Sequence, residues 1–166
     1  MKLIRLILIC STFSLIIIIL LNNLYVYPND HEKTLLNNYF KYSKISTKEE
    51  ILKFQNKVIE DFRHEYINNK KAISIDSIIF YKKGYCYDRS LLMQKYFLSK
   101  NFRVRPIYIY RNVSNNRIID FLKYNLNSHN LFEVYFNNSW YVIRTNSKMT
   151  KLETLDEYLH SSNTFS

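Results

Sequence analysis

The longest apolar run of the chain lies at its N-terminus. Lys2 and Arg5 begin a stretch that is dominated by Leu and Ile across residues 3–21. A basic start followed by an apolar stretch is typical of export signals, and this one approaches the ~17–25 residues that span a bilayer. The polar and bulky residues 22–27 offer no small-residue cleavage site. We therefore expect residues 1–27 to form an uncleaved signal-anchor that crosses the membrane through residues 3–21.

This anchor would fix the location of everything that follows it. Lys2 and Arg5 would stay on the cytoplasmic side, which places residues 28–166 on the extracytoplasmic side. If the N-terminal segment is instead cleaved, the remaining chain would be secreted. Residues 28–45 are predicted to be a polar connector with a short helix around Leu35 to Phe40, and residues 46–166 are predicted to form the domain.

The first helix of the domain is indicated by a stripe of apolar residues three and four positions apart. The stripe consists of Ile51, Phe54, Val58, Phe62 and Tyr66. Ser46 to Glu49 has the pattern of a capping box at its start. We expect this helix to end near Asn68 and to carry His64 on its surface.

A second helix is predicted from Tyr85 to Leu98, directly after the loop Lys82-Lys83-Gly84. Apolar residues cover so wide an arc of this helix that it should be buried. They include Cys86, Tyr87, Leu91, Met93, Phe97 and Leu98. Cys86 would lie in the first turn, where the positive end of the helix dipole favours the thiolate.

From Val104 onward the chain contains stretches of residues that favour β-strands. Strands are predicted over Val104 to Tyr110, Leu131 to Phe136 and Trp140 to Thr145, and Pro106 indicates an edge strand or a bulge. Asn137-Asn138 suits a tight hairpin turn, because asparagine tolerates the left-handed backbone. Residues 112–127 form a polar excursion, and a short helix is expected in the tail after Lys151.

Composition and charge narrow the classes of function. A hydrophobic content of 47% is enough for a packed core and argues against disorder. The net charge of +10 is spread along the chain without a Lys/Arg block. Such a diffuse field favours anionic partners by long-range steering but lacks the clustered footprint of a nucleic-acid binder. The four histidines are scattered, so we expect no metal and no cofactor.

Candidate chemistry centres on Cys86. Gly84 is the only glycine of the chain, and Cys86 is the only cysteine outside the N-terminal apolar run. A thiol at a helix start needs a general base to act as a nucleophile at neutral pH. His129 is the best placed candidate, and strand alternation would group it with Leu131, Glu133 and Tyr135. The alternative is that Cys86 is a small packed hydrophobe.

Several stretches of the chain resemble motifs of the transglutaminase-like family. They are Gly84 to Asp88 with Leu91-Leu92, Asn101 to Arg105, His129 to Val134 and Trp140 to Ile143. In that family a Gly-x-Cys opens a buried helix, and a His-Ala-Trp-x-Glu-Val strand precedes one that starts with Trp and ends in Asp-Pro. The resemblance covers about residues 50–147. It implies an α+β, papain-related core in which a Cys-bearing helix packs on an antiparallel sheet and Cys, His and Asp carry out acyl transfer or amide hydrolysis.

The chain departs from this pattern at the third member, because Arg144 stands where the family has its Asp. An arginine cannot accept the hydrogen bond that orients the imidazole. The site could be degenerate, Arg144 could turn outward, or another residue could serve. A two-residue turn at Asn137-Asn138 would pair Phe136 with Ser139 and, by continuation, His129 with Asn146. A three-residue turn would place Ser147 opposite His129 instead.

These residues predict a membrane-anchored extracytoplasmic cysteine hydrolase or acyltransferase. Cys86 would be the nucleophile, His129 the base and Asn146 the residue that orients it, and the reaction would pass through a thiol acyl-enzyme on a protein or peptide substrate. Arg105 and Glu133 are expected to be a structural ion pair or fold residues rather than catalytic residues. The alternative, favoured by Arg144, is a catalytically degenerate binding module of the same fold at the cell envelope.

Overall fold

Helices occupy the N-terminal part of the chain and an antiparallel sheet follows them. The structure is a computed structural model that describes residues 10–17, 27–41, 44–65, 74–111 and 127–163. Its helices are α1, described over residues 10–17, α2 (Asp30–Phe40), α3 (Lys48–Asp61), α4 (Ile75–Tyr81), α5 (Cys86–Ser99) and α6 (Leu155–Asn163). Its strands are β1 (Arg103–Arg111), β2 (Asn127–Phe136) and β3 (Ser139–Ile143).

The N-terminal helix α1 is exposed along its described length. Among the described residues, no helix is both long enough and apolar enough to cross a membrane. Most of the segment predicted to do so, residues 3–21, lies outside them. The signal-anchor therefore stays a prediction.

Helix α2 belongs to the packed domain, although the sequence placed it within a connector. Asn29 caps its start and Glu32 accepts a hydrogen bond from the Asn29 backbone in return. Leu36 and Phe40 are buried in the core. The Lys95 ammonium of α5 lies 2.6 Å from the Glu32 carboxylate, and both side chains are largely buried. The predicted helix is present, and it packs as part of the core.

Helix α3 begins one residue later in its capping box than predicted and ends earlier. Thr47 is the N-cap and Glu50 completes the box, in place of Ser46 and Glu49. The helix ends at Asp61 rather than near Asn68, because Phe62 adopts an extended backbone. The carbonyl of Phe62 then accepts a hydrogen bond from Arg89, a residue of another helix.

Helix α5 is the centre of the core, as its apolar arc predicted. Every residue from Asp88 to Phe97 is buried. Phe97 packs edge-on against Phe54 of α3 at a centroid distance of 5.1 Å and lies 6.0 Å from Phe132 of β2. Tyr87 differs from the prediction, since 44% of it is exposed. The helix is therefore buried from its second turn onward and open at its start.

The three strands form one antiparallel sheet in the order β1-β2-β3. Phe136 pairs with Ser139, and Asn137 and Asn138 have φ of 46° and 62°. This confirms the predicted two-residue turn, because left-handed backbone at both central positions defines the favoured hairpin turn. β1 is an edge of the described sheet, which agrees with the exposed Pro106.

The C-terminal segment packs back onto β3. The backbone N–H of Val142 donates to the carbonyl of Glu153 at 2.8 Å. After this bridge the chain forms α6, which confirms the predicted tail helix. The polar excursion predicted over residues 112–127 lies almost wholly outside the described residues.

Candidate functional site

Cys86 is the first residue of α5 and is only partly buried. It forms no disulfide, and it lies between two exposed tyrosines, Tyr85 at 39% and Tyr87 at 44% exposure. This position lies at the end of the helix where the first N–H groups have no partner within the helix. The predicted placement of Cys86 at the start of a buried helix is confirmed.

Gly84 is required at its position by close packing. Its φ is not in the left-handed region. A Cβ on Gly84 would lie 2.8 Å from the Cβ of Asp88, a separation that real side chains do not adopt. The absence of a side chain lets Asp88 accept a hydrogen bond from the backbone N–H of Tyr85 at 2.8 Å. Gly84 and Asp88 together fix the turn that presents Cys86.

The Asp88 carboxyl is buried at this turn. Burial raises its pKa from the ordinary value, and the hydrogen bond from the Tyr85 backbone opposes this effect in part. A carboxylate in the first turn of a helix is also favoured by the helix dipole. Asp88 therefore acts here as a helix cap whose charge carries a cost of burial.

The segment after α3 runs beside the loop that leads to Cys86. The backbone N–H of Arg63 donates to the carbonyl of Lys82 at 2.9 Å, and the carbonyl of Arg63 accepts from the backbone N–H of Gly84 at 3.0 Å. These bonds bring the ring of His64 to 5.0 Å from the ring of Tyr85, edge-on. His64 is exposed, as predicted, but it lies beyond the end of α3 and next to the candidate site.

Arg89 lies one turn after Cys86 and is buried, with 3% of its surface exposed. Its guanidinium donates to the carbonyl of Phe62 and, at 3.3 Å, to that of Thr145. Its buried Nε has no hydrogen-bond partner among the described atoms. Arg89 was not identified from the sequence. The signal was present as its spacing of three residues from Cys86, which places both on one side of a helix.

The backbone of His129 lies in β2 opposite Ile109 of β1, and its side chain is outside the described part of the structure. Of the residues with which alternation groups it, Glu133 pairs with Arg105. The β2 residues that join the core around α5 are Phe132 and Val134. The contact between Cys86 and His129 stays a prediction.

Asn146 lies in the loop after β3. The β2–β3 ladder ends at the pair Phe132 and Ile143, so the continuation that would pair His129 with Asn146 is not made by the sheet. Beyond it, the Thr145 hydroxyl donates to the carbonyl of Asn130 at 2.6 Å. Asn146 is exposed and its Oδ1 accepts from the Ser147 hydroxyl at 3.3 Å. Its role as an orienting residue stays a prediction.

This loop is fastened to α3 by side-chain amides. The buried Gln55 donates to the carbonyls of Arg144 and Ser147, at 2.9 and 2.8 Å. Asn56 donates to the carbonyl of Met149 and accepts from its N–H, at 2.9 and 2.8 Å. Gln55 and Asn56 were not identified from the sequence, because nothing local distinguishes them from surface amides on a helix.

Arg144 is engaged by the C-terminal segment. Its guanidinium lies 2.6 Å from the buried carboxylate of Glu153 and 5.2 Å from the ring centroid of Tyr158. Arg144 thus joins β3 to α6. The predicted ion pair between Arg105 and Glu133 is likewise present, and the Arg105 guanidinium lies 4.4 Å from the ring centroid of Trp140.

Comparison with known proteins finds a similar fold but no match in sequence. No family model matches the chain, and no curated protein matches it in sequence. The fold is similar to that of a crystal structure from Cytophaga hutchinsonii described as "a Putative Cysteine Protease", with a TM-score of 0.55 and 15% identity. The match covers 77% of this chain and 43% of that one, so this chain spans less than half of that protein's length. The chain therefore has the α+β fold of that protein, with helices packed on a small antiparallel sheet.

Proposed function

We propose that the chain is a cysteine hydrolase of transglutaminase-like fold that cleaves or transfers amide-linked acyl groups. The observation that carries this proposal is the position of Cys86, which is partly exposed at the first residue of a helix that packs on an antiparallel sheet. The cysteine-protease description belongs to a structural neighbour of the same fold, and it supports this assignment by analogy.

In the proposed reaction, the Cys86 thiolate attacks the carbonyl carbon of an amide. The C–N bond breaks, the amine leaves with a proton from His129, and a thioester to Cys86 remains. Water then attacks the thioester, its proton passes to His129, and the carboxylic acid and the thiolate are released. The backbone N–H of Cys86 would stabilise the oxyanion. If an amine replaces water, the same thioester gives transfer.

We place this activity at the cell envelope. Residues 3–21 would anchor the chain in the membrane, and the domain would act on protein or peptide substrates on the extracytoplasmic side. Lys2 and Arg5, which precede or begin the apolar stretch, support this orientation.

The proposal is tested with an activated ester, which needs no knowledge of the natural substrate. The chain is mixed with p-nitrophenyl acetate, and the burst of nitrophenol and the acetyl group on Cys86 are measured by absorbance and peptide mass spectrometry. Cys86→Ser should abolish both. His129→Ala should slow acylation by about 10²–10⁴-fold, and Asn146→Ala should slow it less.

His64→Ala is the matched control, because His64 lies beside the ring of Tyr85. Its acylation rate should stay within about twofold of the unmodified chain, since a base that takes no part in proton transfer contributes nothing to the rate. Equal rates for the unmodified chain and His129→Ala would contradict the proposed base.

The second candidate is a binding module without activity. It is favoured by Arg144, which occupies the family's Asp position and is held by Glu153. This candidate predicts that no burst of nitrophenol occurs. It also predicts that Cys86 is alkylated slowly, at a rate that His129→Ala does not change.

A further inference from the structure

Arg89 is a buried cation for which the structure describes no anionic partner. Among the described residues, no carboxylate lies within ion-pair distance of it, and its hydrogen bonds go to the carbonyls of Phe62 and Thr145. Two neutral carbonyls satisfy N–H groups without balancing a charge. A buried charge without a counter-charge is strongly destabilising. The site therefore calls for an anion beside Arg89.

The anion that the helix geometry offers is the Cys86 thiolate. Residues three apart on a helix are neighbours on its surface. Helical side chains also lean toward the N-terminus, so Arg89 lies over the turn that carries Cys86. Burial lowers the pKa of the Arg89 guanidinium, and the nearby Cys86 acts in the opposite direction.

We propose that Arg89 is a positioning residue whose buried guanidinium holds Cys86 in the thiolate form. The inference deepens the proposed hydrolase and rests on it. The positive end of the α5 dipole and the Arg89 charge act on the thiol in the same sense. The hydrogen bonds to Phe62 and Thr145 keep the guanidinium in place from the end of α3 and from the loop after β3.

Other charged or titratable groups surround this turn, and the described carboxylates among them have partners. The Asp88 carboxylate accepts from the Tyr85 backbone. The Glu65 carboxylate lies 2.6 Å from Lys83 and 3.3 Å from Arg63, on the segment packed beside the loop. His64 contacts Tyr85, and His129 is described in its backbone alone. None of the described carboxylates around this turn is paired with Arg89, and Arg103→Gln, at an exposed arginine of β1, serves as the control.

The test is the rate at which iodoacetamide alkylates Cys86 in the full chain between pH 6 and 9.5, followed by peptide mass spectrometry so that Cys10 does not interfere. The thiolate is the reacting form. Arg89→Gln should lower the rate at pH 7 about tenfold and leave the rate at pH 9.5 nearly unchanged. The reason is that displacing the pH profile by about one unit changes the amount of thiolate at pH 7 about tenfold. Arg89→Lys should restore most of the rate at pH 7, and Arg103→Gln should leave it unchanged.

An Arg89→Gln chain that keeps its fold by circular dichroism and shows the pH profile of the unmodified chain would overturn the proposal. So would an unmodified chain whose profile matches that of the same chain unfolded in urea. A merely structural arginine would change the melting temperature without moving the profile.

A second measurement needs no substitution, in case Arg89→Gln does not fold. The rate ratio of iodoacetate to iodoacetamide is measured at Cys86 at high salt, where exposed charges are screened and buried ones much less so. A buried cation at the thiol should raise this ratio severalfold over the value in the urea-unfolded chain. An equal or lower ratio would overturn the proposal.

The two proposals fail separately. If Arg89 governs the alkylation profile but the nitrophenyl ester gives no acyl-enzyme, the hydrolase is wrong and the role of Arg89 stands. If the acyl-enzyme forms and the alkylation profile does not depend on Arg89, the proposed role of Arg89 is wrong and the proposed hydrolase stands.

Discussion

The two ends of α5 have opposite environments within one helix. From Asp88 to Phe97 the helix is buried on all sides, with Phe97 among the rings of Phe54, Phe102 and Phe132. Its first residue, Cys86, is only partly buried and lies between two exposed tyrosines. The difference shows how one helix can combine rigidity with access. The buried end fixes the helix in the core, and the open end presents a thiol whose position the core has already determined.

The largest effect is expected at the buried end. Phe97→Ala removes a fully buried ring and should lower the free energy of unfolding by ~3–5 kcal/mol. Urea denaturation followed by circular dichroism measures this loss. Tyr87→Ala, at the open end of the same helix, is the control and should cost under ~0.5 kcal/mol. Similar losses in both variants would show that the two ends do not differ in this way.

A smaller effect is expected where the two ends meet. Gly84→Ala places a Cβ 2.8 Å from that of Asp88, so the loop or the helix start must shift. We expect a loss of ~1–3 kcal/mol in unfolding free energy and a change in the rate at which Cys86 is alkylated. Lys83→Ala, one residue earlier in the loop, should alter the alkylation rate little. An unchanged stability in Gly84→Ala would mean that Asp88 moves aside freely.

The smallest effect concerns the charge at the start of α5. Because burial raises the pKa of Asp88 in the folded chain, its contribution to stability is fully present below the unfolded value of ~3.9 and is lost as pH rises through the raised pKa. Asp88→Asn keeps a hydrogen-bond acceptor for Tyr85 and removes this loss. The variant should therefore gain stability relative to the unmodified chain as pH rises from 4 to 7, by under ~1 kcal/mol.

The quantity to measure in this experiment is the difference in unfolding free energy between the Asp88→Asn variant and the unmodified chain. Other carboxyls act in the opposite direction, such as Glu50, whose pKa is lowered mainly by a hydrogen bond from the Ser46 backbone. A difference that stays constant from pH 4 to 7 would contradict the assignment to Asp88.

Local signals were sufficient to predict much of the fold. Asn137-Asn138 determines the hairpin because both residues tolerate left-handed backbone, and the apolar arc after Gly84 determines the buried helix. The end of α3 could not be predicted, because the Phe62 carbonyl bonds to Arg89, 27 residues further along the chain. The contribution of α2 to the core depends in the same way on the contact between Glu32 and Lys95.

The candidate site was predictable where it rests on a rare residue and its immediate neighbours. Cys86 and Gly84 were found in this way. Arg144 could be identified as a departure from the family pattern, but its partner Glu153 follows from the path of the tail. Arg89 was missed because a single arginine on a helix is ordinary in sequence. Its burial and missing counter-charge exist only after folding.

The edge strand β1 has a consequence for how the sheet can be extended. Pro106 has no N–H to offer to a further strand, and the exposed side chains of Arg103 and Arg105 precede it. A strand that approached this edge would meet a residue that cannot donate to the hydrogen-bond ladder, beside exposed arginine side chains. Within the described sheet, β1 is therefore an unfavourable edge for the addition of a further strand.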